Sequence, residues 1–452
     1  MPNQNSTQMT RRALLAVGLM LFALFFGAGN LIFPAALGQR AGTNVWWAVM
    51  GFVLTGVGLP LAGVLAMGYS GCRNVQELAG RVHPLFGILF TLALYLSIGP
   101  AFAIPRTGTV SFEIAVRPFL AADAPEWAQT AFLVVFFLVT LWLSINPQKL
   151  VGRIGGILTP MLLTTIVVLI VKSLITPPGT PGSPTEAYAT PAVALQQGFI
   201  DGYNTLDALA SFVFGILVIE FVTQHGATTR HEVMGATMRA GVIAIGCLGV
   251  VYVFIAGLGA ASVEQLGILD TGAPVLAGSA RLLFGEPGAL ILAVIVLLAC
   301  LTTSIGLVTA CASYFHAQFG GLSYKDYAVT FVIISFAVGT FGLKTIISAA
   351  VPVLMFLYPL AIVLIALAFL DSRFGSRRSV YAWTVGLTLI SALISGLEAA
   401  NISLGAFGRF YGAHVPLHTD GLDWIFFALA GFLIGCLNRR KSTSSELITS
   451  EL

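Results

Sequence analysis

The sequence predicts an all-α polytopic membrane protein with about 12 transmembrane helices. They form a five-plus-five inverted repeat in which helices 1 and 6 are broken. Three observations lead there: the composition, the recurrence of uncharged runs, and a polar interruption after the fifth of them. Of 452 residues, 57% are hydrophobic and only 9% charged, with a mean hydropathy of +0.93. A soluble domain carries about 25% charged residues, so that class is excluded.

Uncharged runs occupy 13–39, 41–72, 84–105, 127–148, 154–171, 240–263, 287–315, 327–343, 345–370 and 379–397. Crossing about 30 Å of hydrocarbon takes roughly 20 helical residues, and each run approaches or exceeds that length. Weaker segments at 198–223 and 424–438 complete the set. The first run is long and leads into turn residues, with no small-residue cleavage site after it, so it reads as span 1 and not as a signal peptide.

Orientation follows from the basic residues. With both termini cytoplasmic, the inner segments hold Arg11, Arg12, Arg73, Arg81, Lys149, Arg153, Arg230, Arg239, Lys325, Arg373, Arg377, Arg378, Arg439, Arg440 and Lys441. The outer segments hold only Arg40, Arg106, Arg117, Lys172, Arg281, Lys344 and Arg409, as the positive-inside rule requires. Basic cytoplasmic loops account for the net charge of +3, which therefore implies no nucleic-acid partner. Cys72, Cys247, Cys300, Cys311 and Cys436 are scattered without metal-ligand spacing and read as packing residues.

The longest polar break, 172–201, contains TPPGTPGSPTEAYATP and divides the chain after span 5. Five is odd, so a second copy of the same unit enters the membrane inverted. The expected organisation is a cytoplasmic 1–12, a first repeat 13–175, an external Pro-rich loop 176–197, a second repeat 198–370, spans 11 and 12 in 371–438, and a cytoplasmic 439–452.

Span 1 carries GAGNLIFP at 27–34, and span 6 reads TLDALASFVFGILVIEF with Gly215 near its centre. Interrupted segments at corresponding positions of two halves mark a binding site at mid-membrane, a construction found in many secondary transporters. Unwinding a helix in lipid bares N–H and C=O groups that cost several kcal/mol each unless something satisfies them. At Gly27 and Gly29 the chain is free in angle and open to close approach, Asn30 adds an amide, and Pro34 removes a donor. The start of the outer half-helix suits a carboxylate, and the end of the inner half suits a cation. Both polarities together fit a zwitterion, and Phe25, Phe26, Leu31, Phe212, Phe214 and Ile216 fit an apolar side chain. A close-packing or kink motif accounts for GAGN equally well when it is taken alone.

Span 8 contains ACLTTSIG, with Ala299, Thr302 and Thr303 at i, i+3 and i+4 on one face. The two hydroxyls, the Ala299 carbonyl, and the carbonyls of Ala23 and Phe26 would make a five-oxygen cage for a sodium-sized cation. The alternative is that both threonines bond back to carbonyls four residues earlier.

Together, GAGNLIFP, GPAFAIPRTGTVSFE at 99–113 and DGYNTLDALASFVFG at 201–215 make the chain resemble the bacterial branched-chain amino acid carriers, along essentially its whole length. Those are sodium-coupled symporters of leucine, isoleucine and valine, thought to share the fold of the bacterial leucine transporter. The resemblance implies a multi-pass protein of the bacterial inner membrane, with Na⁺ as coupling ion, no other cofactor and no obligate protein partner. It puts Phe26, Gly27, Ala28, Gly29 and Asn30 on the substrate-binding break of span 1. Span 6, broken somewhere in 211–215, would supply Phe212, Val213, Phe214 and Gly215. Ala23, Phe26, Ala299, Thr302 and Thr303 would hold Na⁺.

Arg106 could close an external gate against Asp201, Asp207 or Glu398, or it could snorkel to the interface. Intramembrane Asp207 and Glu220 are functional candidates by position. His414 and His418 have an HxxxH spacing, but Pro416 breaks it. No nucleophile constellation suggests an enzyme, and no phosphate-binding loop suggests ATP drive, which leaves an ion gradient as energy source. The rivals are a proton-coupled carrier using Asp207 or Glu220 and a membrane amino acid sensor or channel.

Overall fold

A computed structural model describes residues 10–121, 125, 127–145, 159–224, 226–227, 229–418 and 420–438. Among these there are helices and turns but no strand. The segment joining spans 4 and 5, with Lys149 and Arg153, lies outside the described residues, as do Arg439, Arg440 and Lys441.

Two compact units divide the chain: Met1–Val64 with Tyr95–Ala350, and Leu65–Leu94 with Val351–Leu452. In the first, span 1 is two helices, α1 (Arg11–Phe25) and α2 (Ala28–Ala41). Thr10 starts α1 by accepting the Ala13 N–H at 3.2 Å. The helix stops at Phe26, whose ψ of 87° leaves the helical range. Span 2 follows as α3 (Val45–Val53), a π turn at Leu54–Gly58, and α4 (Leu59–Ser70). The short α5 (Val75–Gly80) and α6 (Pro84–Leu96) up to Leu94 belong to the second unit; from Tyr95 span 3 returns to the first, through a π turn at Ser97–Ala101 to α7 (Ala103–Ala115). Gly99 leaves helical geometry there, and Pro100 removes a donor. No break was expected in span 3.

α8 (Trp127–Ser144) and α9 (Thr159–Ile175) complete the first five spans. The Pro-rich stretch becomes helical earlier than expected, because Thr190 caps α10 (Pro191–Asp201) and Pro191 suits its first turn. After a 3₁₀ turn at Gly202–Thr205, Leu206 takes a left-handed φ of 69° and α11 (Asp207–Gln224) begins. The two pieces meet at 49°. Span 6 therefore breaks at Leu206, ahead of the expected 211–215, which is continuous helix inside α11. Sequence put the break within 211–215, around Gly215, but the chain turns where Thr205 and Asp207 supply side-chain oxygens.

The unit continues through α12 (Arg230–Leu266), α13 (Gly272–Phe284), α14 (Glu286–Phe319), α15 (Tyr324–Gly339) and the start of α16 (Leu343–Phe374). Glycines let these rods approach backbone to backbone. A Cβ on Gly38 would fall 2.0 Å from the Ala256 carbonyl, and one on Gly259 would fall 2.2 Å from the Ala35 carbonyl, so α2 and α12 interlock. α3 and α10 do the same through Gly51 on Leu195 and Gly198 on Ala48.

In the second unit, α17 (Arg378–Ala399) packs on α19 (Trp424–Leu437), with Gly431 and Gly435 against the backbone of Trp383 and Val380. α18 (Gly405–His414) lies between them in sequence. Arg81 pairs with Asp371 at 3.1 Å and reaches the Tyr381 hydroxyl. Glu398 meets His418 at 3.2 Å.

Among the described residues, 7 helices are long and apolar enough to cross a membrane, or 8 counting the bent pair. The expected dozen falls short by length because α1 and α2 split one span, and α9, α15 and α19 are short.

Gly198→Val should place its Cβ 1.9 Å from the Ala48 carbonyl and lower the detergent melting midpoint by the equivalent of about 1–3 kcal/mol of overpacking. Gly246→Ala, facing open space, should leave the midpoint unchanged.

Candidate binding site at the paired breaks

α1 and the turn after α10 end, and α2 and α11 begin, around one small cavity. Its lining includes Gly27, Ala28, Gly29, Asn30, Arg106, Thr205, Asp207, Phe214 and Thr303, all in the first unit. The enclosed space is about 20 Å³, the scale of one water, so admitting a branched side chain requires its walls to move.

Each opened backbone group meets a particular partner. The Gly27 N–H donates to Asn30 Oδ1 at 3.1 Å, which leaves the Ala23 carbonyl without the donor an uninterrupted helix would give it. The Phe26 carbonyl accepts from the Thr303 hydroxyl at 3.4 Å. Across the cavity, Arg106 donates to the Asn204 carbonyl at 2.7 Å and the Thr205 carbonyl at 3.2 Å, while the Asp207 N–H reaches Thr205 Oγ1 at 3.3 Å. The guanidinium also lies 5.1 Å from the Phe33 ring, a cation–π contact.

One buried cluster joins the two breaks directly. The Asn30 amide donates to Asp207 Oδ2 and to the Tyr252 hydroxyl. Tyr252, on α12, donates to the same Asp207 oxygen at 3.0 Å. Asn30 and Asp207 are 2% and 4% exposed, so this polar network sits where partners are obligatory.

The glycines act by space and not by angle. Gly27 has φ −121° and ψ −162°, open to other residues, and Gly29 lies inside α2. A Cβ on Gly27 would strike Thr303 Oγ1 at 2.8 Å, and one on Gly29 would strike Arg106 Nη2 at 2.7 Å.

The residues match the family model described as "Branched-chain amino acid transport protein" over 10–442. The chain belongs to this family. It is 46% identical to the branched-chain amino acid permease BrnQ of Bacillus subtilis over 95% of this chain and 97% of that one. With the permease BraB of the same organism it shares 47% over 93% and 94%. The branched-chain amino acid transport system 2 carrier protein of Pseudomonas aeruginosa is 40% identical over 91% and 92%. Among solved structures, MhsT in complex with L-phenylalanine is similar at a TM-score of 0.58 and 18% identity, covering 93% of this chain and 98% of that one. The nucleobase-cation-symport transporter MHP1 aligns at 0.61 and 14%, covering 96% and 94%. Their shared fold is that of this transporter family member.

Of the residues singled out by sequence, Gly27, Ala28, Gly29, Asn30, Phe214, Arg106, Asp207 and Thr303 line one cavity. Phe26 adjoins it and is held by Thr303. Phe212, Val213 and Gly215 are not in the lining, because α11 turns as a regular helix from Asp207 onward and presents Ala210 and Phe214 there. Thr302 bonds to the Ala299 carbonyl at 2.9 Å, three residues back, whereas Thr303 reaches across to span 1. Arg106 meets the opened carbonyls of span 6. Asp201 instead takes Tyr188 and Gln197, and Asp207 takes Asn30 and Tyr252. The Glu220 side chain lies outside the described residues. Sequence reasoning missed Tyr252, whose only signal is a hydroxyl amid an uncharged span.

Asn30→Ala and Tyr252→Phe should each lower the melting midpoint by the equivalent of about 1–3 kcal/mol, the cost of stripping a buried partner. Because both act on one Asp207 oxygen, the double variant should lose less than the sum. Strict additivity would contradict the shared cluster.

Proposed function

We propose that this transporter couples Na⁺ entry to uptake of leucine, isoleucine and valine by alternating access, from a bacterial inner membrane with both termini cytoplasmic. The observation that carries the reading is the Thr303 hydroxyl on the Phe26 carbonyl, which brings span 8 oxygen to the opened end of α1. The Ala299 carbonyl, the Thr302 hydroxyl and the Ala23 carbonyl stand one helical turn or less away along the same two helices. These are the hard oxygen donors a small cation needs. A cation held there neutralises the partial negative charge at the end of α1 and fixes Gly27 at the mouth of the substrate cavity. Ion and amino acid then share one piece of backbone, and each favours the other's binding. The membrane potential adds about 2.3 kcal/mol per translocated charge per 100 mV.

Relatives of the chain are named as branched-chain amino acid permeases and carriers, which supports the substrate class. The apolar walls at Leu24, Phe25, Ile98, Phe214 and Leu307 suit such side chains.

Counterflow of radiolabelled leucine in proteoliposomes should require Na⁺ and should be competed by isoleucine and valine. Thr302→Ala with Thr303→Ala should weaken apparent Na⁺ affinity by about tenfold or more, as loss of two ligands demands. Equal uptake in Na⁺-free, proton-driven vesicles would remove Na⁺ from the reading.

One observation favours a second reading, a proton-coupled carrier: Asp207 is a buried carboxyl bridging both breaks. Asp207→Asn should then abolish the pH dependence of uptake. Persistence of Na⁺ dependence with an unchanged pH profile in that variant rejects the proton carrier.

A further inference from the structure

Two charged side chains, Arg106 and Asp207, line the same cavity, although the sequence suggested a substrate site of helix-end polarity and the Asn30 amide, with these two residues as gate. Both are buried, at 4% exposure each. Their placement is opposed in kind. Arg106 Nη2 lies where a Cβ on Gly29 would come within 2.7 Å, so the guanidinium sits against the first turn of α2, the end rich in free N–H groups. Two of its five donors reach the Asn204 and Thr205 carbonyls, across the cavity from Gly29. Asp207 directs Oδ2 to Asn30 and Tyr252, and neither of those bonds uses Oδ1.

We infer that Arg106 and Asp207 read the two charges of the substrate: the Arg106 guanidinium, with the Ala28 and Gly29 N–H groups, takes the carboxylate, and Asp207 takes the ammonium. This rests on the reading of the chain as an amino acid transporter.

The physical argument is that a zwitterion entering a low-dielectric cavity loses hydration at both ends, and helix-end dipoles repay only part of it. A planar guanidinium offers a carboxylate two parallel N–H bonds beside the helix N-terminus. Gly29 leaves the guanidinium its place, since a Cβ there would fall 2.7 Å from Arg106 Nη2 and push the guanidinium aside. Asn30 and Tyr252 hold one oxygen of Asp207 in fixed orientation beside the Thr205 hydroxyl, so the carboxyl is positioned at the cavity wall before a ligand arrives. Arg106 also changes partners in this scheme. It bonds the carbonyls at the end of the outer part of span 6, and a bound carboxylate competes for those donors. Substrate binding and the hold on the span 6 break are thus coupled through one side chain.

The test uses purified full-length protein in Na⁺, with leucine, leucinamide (no carboxylate) and 4-methylpentanoate (no ammonium) competing against radiolabelled leucine. The wild type should prefer leucine to either analogue by at least about 30-fold, the scale of a lost buried charge partner. Arg106→Gln should bind leucine no better than leucinamide while still rejecting 4-methylpentanoate, and Asp207→Asn should show the mirror pattern. Gly29→Ala keeps both charges and displaces only the guanidinium, so it supplies the carboxylate arm if Arg106→Gln does not fold. Discrimination against both analogues at the wild-type level in Arg106→Gln and Asp207→Asn, or in Gly29→Ala, overturns the assignment. So does a wild type that fails to discriminate. Na⁺-dependent leucine counterflow by the same wild-type preparation reports separately on the transport reading, which survives a negative result here.

Discussion

Backbone groups opened in the middle of a hydrocarbon layer set the terms for the rest of this molecule. In water an interrupted helix is solvated at small cost, but in lipid each bare N–H or C=O demands a partner. Here the demand falls at two places, Phe26–Gly27 and Thr205–Asp207, and side chains of α2, α7 and α14 meet it. Asn30 satisfies the Gly27 N–H, Thr303 the Phe26 carbonyl, and Arg106 the Asn204 and Thr205 carbonyls. Asn30, Arg106, Asp207, Tyr252 and Thr303, buried on spans 1, 3, 6, 7 and 8, are the polar groups gathered at the breaks. Removing the breaks would leave Asn30, Arg106, Asp207 and Tyr252 with no reason to be in the membrane.

The packing of the first unit follows from the same need. Partners as short as Asn, Thr and Asp reach across only if the helices carrying them lie close. Gly38 and Gly259 bring α2 and α12 together, and Gly51 and Gly198 do so for α3 and α10, the first part of span 6. Small residues at these contacts replace the hydrophobic drive that is absent between helices in lipid. The site therefore sits on a rigid support even though its own backbone is irregular.

Much of this was legible in the sequence, because hydropathy and glycine, asparagine and proline at mid-span are strong signals in a chain with so few charges. GAGN marked the first break, which opens at its first residue, and Thr303 and Asp207 were identifiable as polar groups within their spans, whereas Arg106 was read at the outer end of span 3. The second break was misplaced because Gly215 looked like the weak point. The chain turns at Leu206, a residue with no such reputation, held left-handed by the Thr205 and Asp207 bonds around it. Tyr252 escaped notice for the converse reason: tyrosine is amphipathic and commonplace in such helices, and only its contact with Asn30 and Asp207 distinguishes it. The irregular turn at Ser97–Ala101 was equally silent, although Gly99 and Pro100 stand in it. Its effect is to restart the helix as α7 just ahead of Arg106.

The Asn30–Asp207–Tyr252 cluster ties the two broken spans together, so that neither shifts without the other. Asn30 belongs to the first turn of α2 and Asp207 to the first turn of α11, so the two half-helix N-termini are tied to each other and to α12. The opposite ends of the same broken spans are held by different groups, Thr303 for α1 and Arg106 for the turn after α10. Each of these groups is also a donor or charge that an ion or a carboxylate can engage. A ligand arriving at either end therefore competes with, or reinforces, a bond that fixes a half-helix. The fixed tie stays in the middle while the exchangeable ones lie on each side. Such an arrangement lets small changes of partner at the site become a tilt of whole helices.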